Sequence, residues 1–205
     1  MITVLAGVNG AGKSSLLGSS LRNNGCEYFN PDEVAKQLMT KKPELTLEEA
    51  NSQAWTLGKK MLELAISHND DYTFESTLGG NTITRILLEA AKKGTEITII
   101  FCGLESAELH IERVAARVSK GGHHIPETKI RQRWLDSIEN MMKLIMVCKN
   151  VSVFDNTTSL INGKPSPKKL FAFSGNQWLS LPIKDMPKWA RPLATTAIKK
   201  LTMGN

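Results

Sequence analysis

The chain has 205 residues, of which 41% are hydrophobic and 22% charged, which is ordinary for one globular domain with room for a small addition. Its apolar runs fall short of the ~18 residues that a membrane-spanning helix needs, so we expect no transmembrane segment. Because the first predicted strand starts at the N-terminus, we also expect no signal peptide and a cytoplasmic location.

The net charge of +6 is concentrated late in the chain. Residues 1–163 carry 18 Lys and Arg against 19 Asp and Glu, whereas residues 164–205 carry eight Lys and Arg and a single acid, Asp185. A basic tail is compatible with contact to nucleic acid or to an acidic partner, but a solvated basic surface is the interpretation that the pattern favours. Nucleic acid is therefore not the expected partner.

Three cysteines, Cys26, Cys102 and Cys148, lie in or beside apolar runs. Their number is odd and they lack C-x-x-C spacing, so we predict buried free thiols in a reducing compartment and no metal site.

The first elements in chain order predict a phosphate-binding loop. Residues 1–6 form a short apolar run with β-branched members, which predicts a buried strand. The next eight residues fit G-x-x-x-x-G-K-[ST] at every defined position, and residues 14–21 are predicted to be helical. The residues expected to contact the nucleotide are Gly7, Asn9, Gly10, Ala11, Gly12, Lys13, Ser14 and Ser15.

The chemistry of this loop explains its residue types. Glycines allow backbone N–H groups to approach phosphate oxygens closely, and the helix N-terminus adds a positive dipole end. Lys13 is expected to reach the β- and γ-phosphates, while the Ser14 hydroxyl is expected to ligate Mg²⁺. The loop therefore predicts a protein that handles ATP or GTP.

A second strand is predicted over residues 26–29, followed at once by a helix. Asn30 suits the N-cap, Pro31 suits the first helical position, and Glu33 completes a capping-box spacing. Asp32 then lies in the first turn at the carboxyl end of a strand, where open α/β sheets bind ligands. Compensation of the helix dipole is an equally good explanation of Asp32 from its position alone.

Thr46 and Glu49 form another capping box, which opens a long amphipathic helix ending near His68. His68 is interpreted as a residue of the last helical turn rather than a ligand. Apolar residues recur at three- and four-residue steps and predict one core-facing stripe, made of Leu47, Ala50, Ala54, Leu57, Met61 and Leu64.

A third strand is predicted over residues 71–78, running into Gly79 and Gly80. Glu75 and Thr77 lie at its carboxyl end, where ligands collect. A carboxylate in an apolar strand end is costly unless it is paired or metal-bound, which favours a functional role for Glu75 over an ordinary turn carboxylate.

The remaining elements continue the alternation of strand and helix. Strands are predicted over residues 95–102 and 151–156, and helices over 81–93, 103–120 and 126–148. Arg113 and Arg117 are four residues apart and share one helix face. The last helix has a core-facing stripe formed by Ile130, Trp134, Ile138, Met141 and Ile145.

These elements predict an α/β fold, a P-loop kinase-like parallel sheet of about five strands with helices on both faces. We expect a kinase domain over residues 1–160 and a basic C-terminal appendage, residues 161–205, packed on the kinase core. Within the appendage, residues 168–174 and 177–181 predict a hairpin, and residues 187–197 a short helix.

Motifs that are missing from the sequence argue against two classes of P-loop protein. A GTPase needs a guanine-reading N-K-x-D, which is absent. A motor or AAA-type ATPase is expected to have an apolar strand ending in an acidic pair, but the strand over residues 95–102 ends in Cys102 and Gly103. A small kinase remains, with an acceptor-side carboxylate and arginines that close over ATP.

Four blocks of this sequence resemble those of zeta-toxin-type kinases in order and spacing. They are the loop at 6–15, the segments 30–33 and 74–78, and the segment 121–127 with Ile130 and Arg131 after it. Residues 155–157 are similar to a further block after the last strand. The resemblance covers about residues 1–156, and the combination is specific although the loop alone is generic.

The resemblance implies a bacterial kinase of the epsilon/zeta toxin–antitoxin type, whose characterised members phosphorylate the 3′-hydroxyl of the amino sugar in UDP-N-acetylglucosamine. In that pattern Asp32 matches the general base, and Glu75 and Thr77 match the E-x-T that helps hold acceptor and metal. Arg113 and Arg117 are the local candidates for the phosphate-clamping arginines. The implied cofactors are ATP and Mg²⁺, and the implied partner is a small helical antitoxin.

The chain departs from the best-studied members in two ways. Those proteins have a second arginine near the position of Gly121 to His124, where this chain has none, and they are longer, with a larger acceptor-binding region. The acceptor therefore stays open between a nucleotide sugar, another nucleotide-type metabolite and nucleic acid. A non-catalytic ATP-binding partner protein is a further alternative, against which the presence of Asp32, Glu75 and Thr77 argues.

Overall fold

The computed structural model describes residues 1–14, 18, 25, 27–158 and 166–203. Within them one sheet is formed by β1 (Ile2–Ala6), β2 (Tyr72–Ser76), β3 (Ile97–Gly103), β4 (Asn150–Asp155), β5 (Lys168–Ser174) and β6 (Gln177–Ser180). The strand order is β2-β1-β3-β4-β5-β6. The first four strands run parallel, and β5 and β6 continue the sheet in antiparallel fashion.

Helices alternate with the parallel strands. They are α1 (Pro31–Lys41), α2 (Leu47–His68), α3 (Asn81–Lys92), α4 (Ala107–Val118), α5 (Glu127–Ile145) and α6 (Arg191–Met203). The predicted α/β fold is confirmed, although the described residues form a sheet of six strands rather than about five, and the last two are antiparallel. Of the helices in the described parts of the chain, none combines the length and the apolar character that crossing a bilayer requires.

The starts of α1 and α2 follow from their caps. Asn30 Oδ1 accepts hydrogen bonds from the N–H groups of Asp32 (3.0 Å) and Glu33 (3.4 Å). Thr46 and Glu49 bond each other's backbone N–H groups and complete the predicted capping box. These caps satisfy donors that a helix N-terminus leaves open and fix Asp32 in the first turn of α1.

The strand predicted over residues 26–29 is reduced to a single bridge. Phe29 donates its N–H to Thr73 O (2.8 Å) and accepts from Glu75 N (2.9 Å), whereas Glu27 and Tyr28 belong to no strand. The prediction fails because the chain turns into the Asn30 cap directly after Phe29. Cys26 lies outside the described residues, as does most of the helix predicted over residues 14–21.

The predicted stripe of α2 is correct for Ala50 and Ala54 but wrong for Leu47, which is 37% exposed, and for the second half of the helix. Ala50 and Ala54 are fully buried, but Leu57, Met61 and Leu64 are 39–45% exposed. Leu62 and Ala65 enter the main core instead, one position later than the pattern suggested. The phase changes at Gly58, where Phe29 packs directly on the helix backbone.

The predicted hairpin after residue 161 is confirmed, and it extends the sheet. β5 pairs with β4, and β6 pairs with β5. Phe171 and Leu193 belong to the same buried cluster as Ile2 of β1. The helix predicted over 187–197 is observed as α6, which begins later because short 3-10 turns at Ile183–Asp185 and Lys188–Ala190 precede it.

Cys102 and Cys148 are buried free thiols, as predicted, and burial raises the pKa of each to about 12. Cys26 is not among the described residues.

Candidate active site

The phosphate-binding loop follows β1 at the carboxyl edge of the sheet, and its glycines are required by both conformation and space. Gly7, Gly10 and Gly12 have φ of +140°, +85° and +90°. A Cβ on Gly7 would lie 2.2 Å from the carbonyl oxygen of Cys102 on β3, and one on Gly10 would lie 2.9 Å from that of His110 on α4. Any other residue would therefore force the loop away from these neighbours.

Three buried side chains hold the loop from behind. His110 Nδ1 lies 2.8 Å from Asn9 O, Asn156 Nδ2 donates to Ala11 O (2.9 Å), and Cys102 Sγ donates to the same oxygen (3.2 Å). Since a carbonyl oxygen only accepts, His110 Nδ1 carries the proton. Burial lowers the pKa of His110 to about 4, so the ring is neutral near pH 7. His110 and Asn156 were missed in the sequence, where nothing near them resembles a motif.

Lys13 and Glu75 meet in the interior of the site. Lys13 is 9% exposed and Glu75, at the end of β2, is 7% exposed. Burial raises the pKa of Glu75, while the charge of Lys13 and hydrogen bonding from Ser14 oppose that rise, and the charge of Asp32 adds to it. Lys13, Ser14 and Asp32 therefore all influence the ionisation of Glu75.

The residues present fit a magnesium ion. Glu75 Oε1 is buried and has no hydrogen-bond partner among the described residues. Together with the Ser14 hydroxyl it offers hard oxygen ligands of the kind Mg²⁺ takes, alongside water and phosphate oxygens. Among the described residues there is no cluster of three or more His, Cys, Asp or Glu side chains able to hold a metal without such extra ligands.

An open cavity of about 710 Å³ begins at these residues. It is lined by Asn9 and Lys13 of the loop, by the end of β2, by the start of α1, by one face of α2, and by residues 123–126 with the first turns of α5. Asp32 is exposed at its wall. The structure thus brings Asn9, Lys13, Asp32, Glu75 and Thr77 to one space.

The turn after β2 presents Thr77 to the cavity through a constrained backbone. Leu78 is fully buried and has a φ of +50°, which is rare for a branched side chain. Thr77 Oγ1 accepts from Gly79 N (3.2 Å), and Asn140 Nδ2 of α5 donates to Leu78 O (2.9 Å). These bonds hold the turn in a conformation that its sequence alone does not favour.

Arg133 of α5 is a site residue that the sequence analysis missed. It lines the cavity, and its Nη1 donates to Asn9 Oδ1 (2.8 Å). A Cβ on Gly79 would lie 2.5 Å from Arg133 Cγ, so the turn after β2 packs directly on this side chain. Burial lowers the pKa of Arg133, and the Asp32 charge opposes that change. Arg131 is instead exposed and pairs with Glu108 at 2.5 Å.

Arg113 and Arg117 have other contacts. Arg113 Nη2 donates to the carbonyl oxygens of Asn156 (2.7 Å) and Thr157 (3.3 Å), which follow β4. Arg117 Nη2 donates to His123 O (3.3 Å), in the segment between α4 and α5. Neither guanidinium lines the cavity, and their predicted role as phosphate clamps stays a prediction. Ser15, predicted to contact nucleotide, lies outside the described residues.

Comparison with solved structures shows where this fold occurs. A chain of the AvrRxo1-ORF1:ORF2 complex, determined with ATP, superimposes with a TM-score of 0.68 at 14% identity. The match covers 96% of this chain but only 63% of that one, so the present chain spans less than two thirds of its length. A chain of the PezAT chromosomal toxin–antitoxin system of Streptococcus pneumoniae matches with a TM-score of 0.53 at 13% identity, over 75% of this chain and 66% of that one.

At these identities the structural likeness shows the P-loop kinase-like fold alone. A relative by sequence is an uncharacterised protein of Haemophilus influenzae, 30% identical over 129 residues, which are 62% of this chain and 88% of the relative.

A family model described as an AAA domain matches residues 2–141. The exclusion of AAA-type proteins from the sequence is therefore corrected at the level of the family, because the match covers residues 2–141. The feature behind that exclusion is present, since β3 ends at Gly103 without an acidic pair. With well over half of its length matched, the chain belongs to the AAA domain family.

Proposed function

We propose that the protein is an ATP-dependent kinase of the zeta-toxin type, which transfers the γ-phosphoryl group of ATP to a hydroxyl group of a small acceptor. The observation that supports this most strongly is the shared cavity, in which the buried loop lysine Lys13 faces the same space as Asp32 and Glu75. A protein that only bound ATP would not need an exposed carboxylate such as that of Asp32 in the wall of this cavity.

In this proposal the loop and its surroundings neutralise the charge of the phosphates. Phosphoryl transfer needs positioning and electrostatic stabilisation more than covalent catalysis. Lys13 contacts the transferring group, and backbone N–H groups of the loop contact the remaining phosphate oxygens. Ser14 and Glu75 would hold Mg²⁺, which would supply further neutralisation of the phosphate charge.

Asp32 acts as the general base. The acceptor oxygen forms a bond to the γ-phosphorus, the bond from that phosphorus to the β–γ bridging oxygen breaks, ADP leaves, and the hydroxyl proton passes to the Asp32 carboxylate. Asp32 suits this role better than Glu75, because it is exposed at the cavity wall whereas Glu75 is buried beside Lys13 and Ser14. Thr77 and Glu75 then contact the acceptor side of the reacting centre.

Arginines complete the site. Arg133 is at the cavity and its guanidinium is bonded to the loop residue Asn9, so it is positioned to contact the transferring phosphoryl group. Arg113 and Arg117 lie farther back, against the segments after β4 and before α5. We propose that they contact phosphates when these segments close over ATP.

We propose UDP-N-acetylglucosamine as the acceptor and a small helical antitoxin as the partner, with the reaction taking place in the cytoplasm. A cavity of about 710 Å³ is large enough for a nucleotide-sized molecule. Lys129 and Arg133 in its wall favour an acceptor that carries negative charge. The named PezAT system contains a toxin and an antitoxin, which supports a partner protein for this chain.

The test is transfer from γ-labelled ATP, with UDP-N-acetylglucosamine in one reaction and a cell metabolite extract in another. We expect a labelled small molecule whose formation needs Mg²⁺ and equals the ADP released. A labelled product in the extract reaction alone would show that the acceptor is a metabolite other than UDP-N-acetylglucosamine, while the proposed kinase activity would stand. ATP binding without any labelled product in either reaction would contradict the proposed function.

A further inference from the structure

Of the four tryptophans, all of which lie in described parts of the chain, Trp55 alone is exposed. Its side chain is 46% exposed, whereas Trp189 is 6% exposed and packs on Phe101. Trp178 packs on Phe171, with ring centroids 5.4 Å apart. Trp55 has no such ring partner among the described residues and lines the cavity. A large apolar ring facing water at a ligand cavity has apolar surface available for a ligand.

Trp55 belongs to one face of α2 that is turned to the cavity. Leu47, Asn51, Trp55 and Gly58 follow each other at steps of four, four and three residues, and all four line the cavity. The exposed apolar residues Leu57, Met61 and Leu64 of α2 do not line it. The cavity face therefore combines an indole ring with an amide one turn before it.

Gly58 shows that this face is shaped by packing as well as by exposure. A glycine inside a helix costs about 1 kcal/mol relative to alanine, so its presence here needs a reason. A Cβ on Gly58 would lie 2.6 Å from Phe29 Cε1. The absence of a side chain lets the Phe29 ring lie against α2, where it also lines the cavity. Two aromatic rings thus border the same part of the cavity.

We propose that Trp55 is the residue on which a planar heteroaromatic ring of the acceptor stacks, and that Asn51 hydrogen-bonds the edge of that ring. The inference rests on the proposed function, because it assigns the α2 face to the acceptor. An indole offers a π-face to a ring, and an amide offers both a donor and an acceptor to ring heteroatoms. Lys129 and Arg133, which also line the cavity, match a phosphate attached to the same molecule.

The chemistry of this face favours a ring over an aliphatic group. A pocket for an aliphatic group would be lined by Leu, Ile and Val without polar groups between them. On this face the polar residues Asn51 and Ser52 lie between Leu47 and Trp55. Stacking on an aromatic side chain tolerates different bases, since each has a π-face. Trp55 therefore selects for the presence of a ring, while Asn51 discriminates between rings.

The test uses probes that differ only in the ring. Protein saturated with Mg²⁺ and a non-hydrolysable ATP analogue is titrated by calorimetry with uridine, adenosine and nicotinamide 5′-monophosphates and with ribose 5-phosphate. We expect at least one ring-bearing probe to bind about fivefold or more tighter than ribose 5-phosphate. Trp55→Ala should remove that preference, Trp55→Phe should keep part of it, and Asn51→Ala should change the ranking among the rings.

Leu64→Ala is the matched control, because Leu64 is equally exposed on α2 but lies outside the cavity. It should keep the wild-type preference. Equal binding of all four probes by the wild type, or an unchanged preference in Trp55→Ala, would overturn the assignment. If the ring preference is present and lost in Trp55→Ala but no γ-labelled product forms with any metabolite, the proposed kinase function fails while the ring site stands.

Discussion

The phosphate-loop side and the acceptor side of the cavity are built in different ways. On the loop side, the position of the loop is fixed by its backbone conformation and by buried side chains. Gly7 and Gly10 pack closely on neighbouring backbone, and His110 and Asn156 form hydrogen bonds with carbonyl oxygens of the loop. On the acceptor side, Asp32 and Trp55 are exposed side chains on helices. Phosphate binding is thus built into the fold, whereas acceptor choice depends on side chains that can change without rebuilding it.

The largest effect is expected at Lys13, where the two sides meet. Lys13→Ala removes the only charge that the loop carries, so ATP binding should weaken and transfer should fall by on the order of 10³-fold or more. Steady-state kinetics and calorimetry measure both. The control is Lys149→Ala. It removes an exposed lysine that pairs with Glu96 at the amino-terminal ends of β3 and β4. Unchanged turnover in Lys13→Ala would end the phosphate-loop interpretation.

Arg133 should act mainly on the reaction step, because it joins the loop to the acceptor side through Asn9. We expect Arg133→Ala to lower kcat by on the order of 10³-fold, with a modest change in ATP affinity. Arg131→Ala is matched to it on the same helix, but its partner is the exposed Glu108, so it should behave as wild type. Equal kcat values in the two variants would make Arg133 a structural residue.

The adjacent glycines Gly79 and Gly80 differ in how closely their surroundings pack on them, and this difference tests the contact between the turn after β2 and Arg133. A Cβ added to Gly79 would lie 2.7 Å from Arg133 Cβ and 2.9 Å from its Cα. A Cβ added to Gly80 would have no neighbouring atom within 4 Å, and Gly80 has an ordinary φ of −140°. Gly79→Ala should lower stability by about 1–3 kcal/mol and reduce kcat by displacing Arg133. Gly80→Ala, at the N-cap of α3, should lower stability by less than about 1 kcal/mol and leave kcat unchanged. Thermal melts and kinetics on the pair test this, and equal behaviour would contradict the packing argument.

The smallest expected effect is a pH dependence of the free energy of unfolding, and it comes from His110 behind the phosphate loop. Burial lowers the pKa of His110 from 6.5 to about 4 in the folded protein, so the unfolded chain binds more protons between those pH values. The free energy of unfolding should therefore fall as pH drops from 6.5 to 4, by at most roughly 3 kcal/mol from this group. His110→Gln should flatten that part of the profile in denaturant titrations. An identical slope in both proteins would argue against a neutral buried His110.

What the sequence predicted well was fixed by neighbours in the chain. The loop, the Asn30 and Thr46 caps and the hairpin after residue 161 depend on contiguous residues, so local patterns were sufficient to find them. The groups that were missed act across long separations. Asn9 is contacted by His110, 101 positions away, and by Arg133, 124 positions away. No local pattern records such contacts.

The face of α2 was mispredicted for a related reason. Hydrophobic periodicity assumes that apolar residues face one core, but in α2 the exposed Trp55 borders a cavity and the buried stripe changes phase at Gly58. A single period cannot describe a helix that contacts α1, the sheet and a ligand space in turn. Asp32, Glu75 and Thr77 were found from the sequence, but the contribution of Trp55 to the cavity became visible only once the elements were placed together.

The most direct test of the account is Asp32→Asn, assayed with the identified acceptor. The variant keeps the size of the side chain and its polar position in the first turn of α1, but it removes the charge and the proton acceptor. We expect transfer to fall about 10²- to 10⁴-fold with folding and ATP binding retained, while Glu33→Gln, in the same turn, keeps normal kcat. A nearly normal kcat in Asp32→Asn, with a stability change of under about 1 kcal/mol, would show that Asp32 only compensates the helix dipole and would contradict the account.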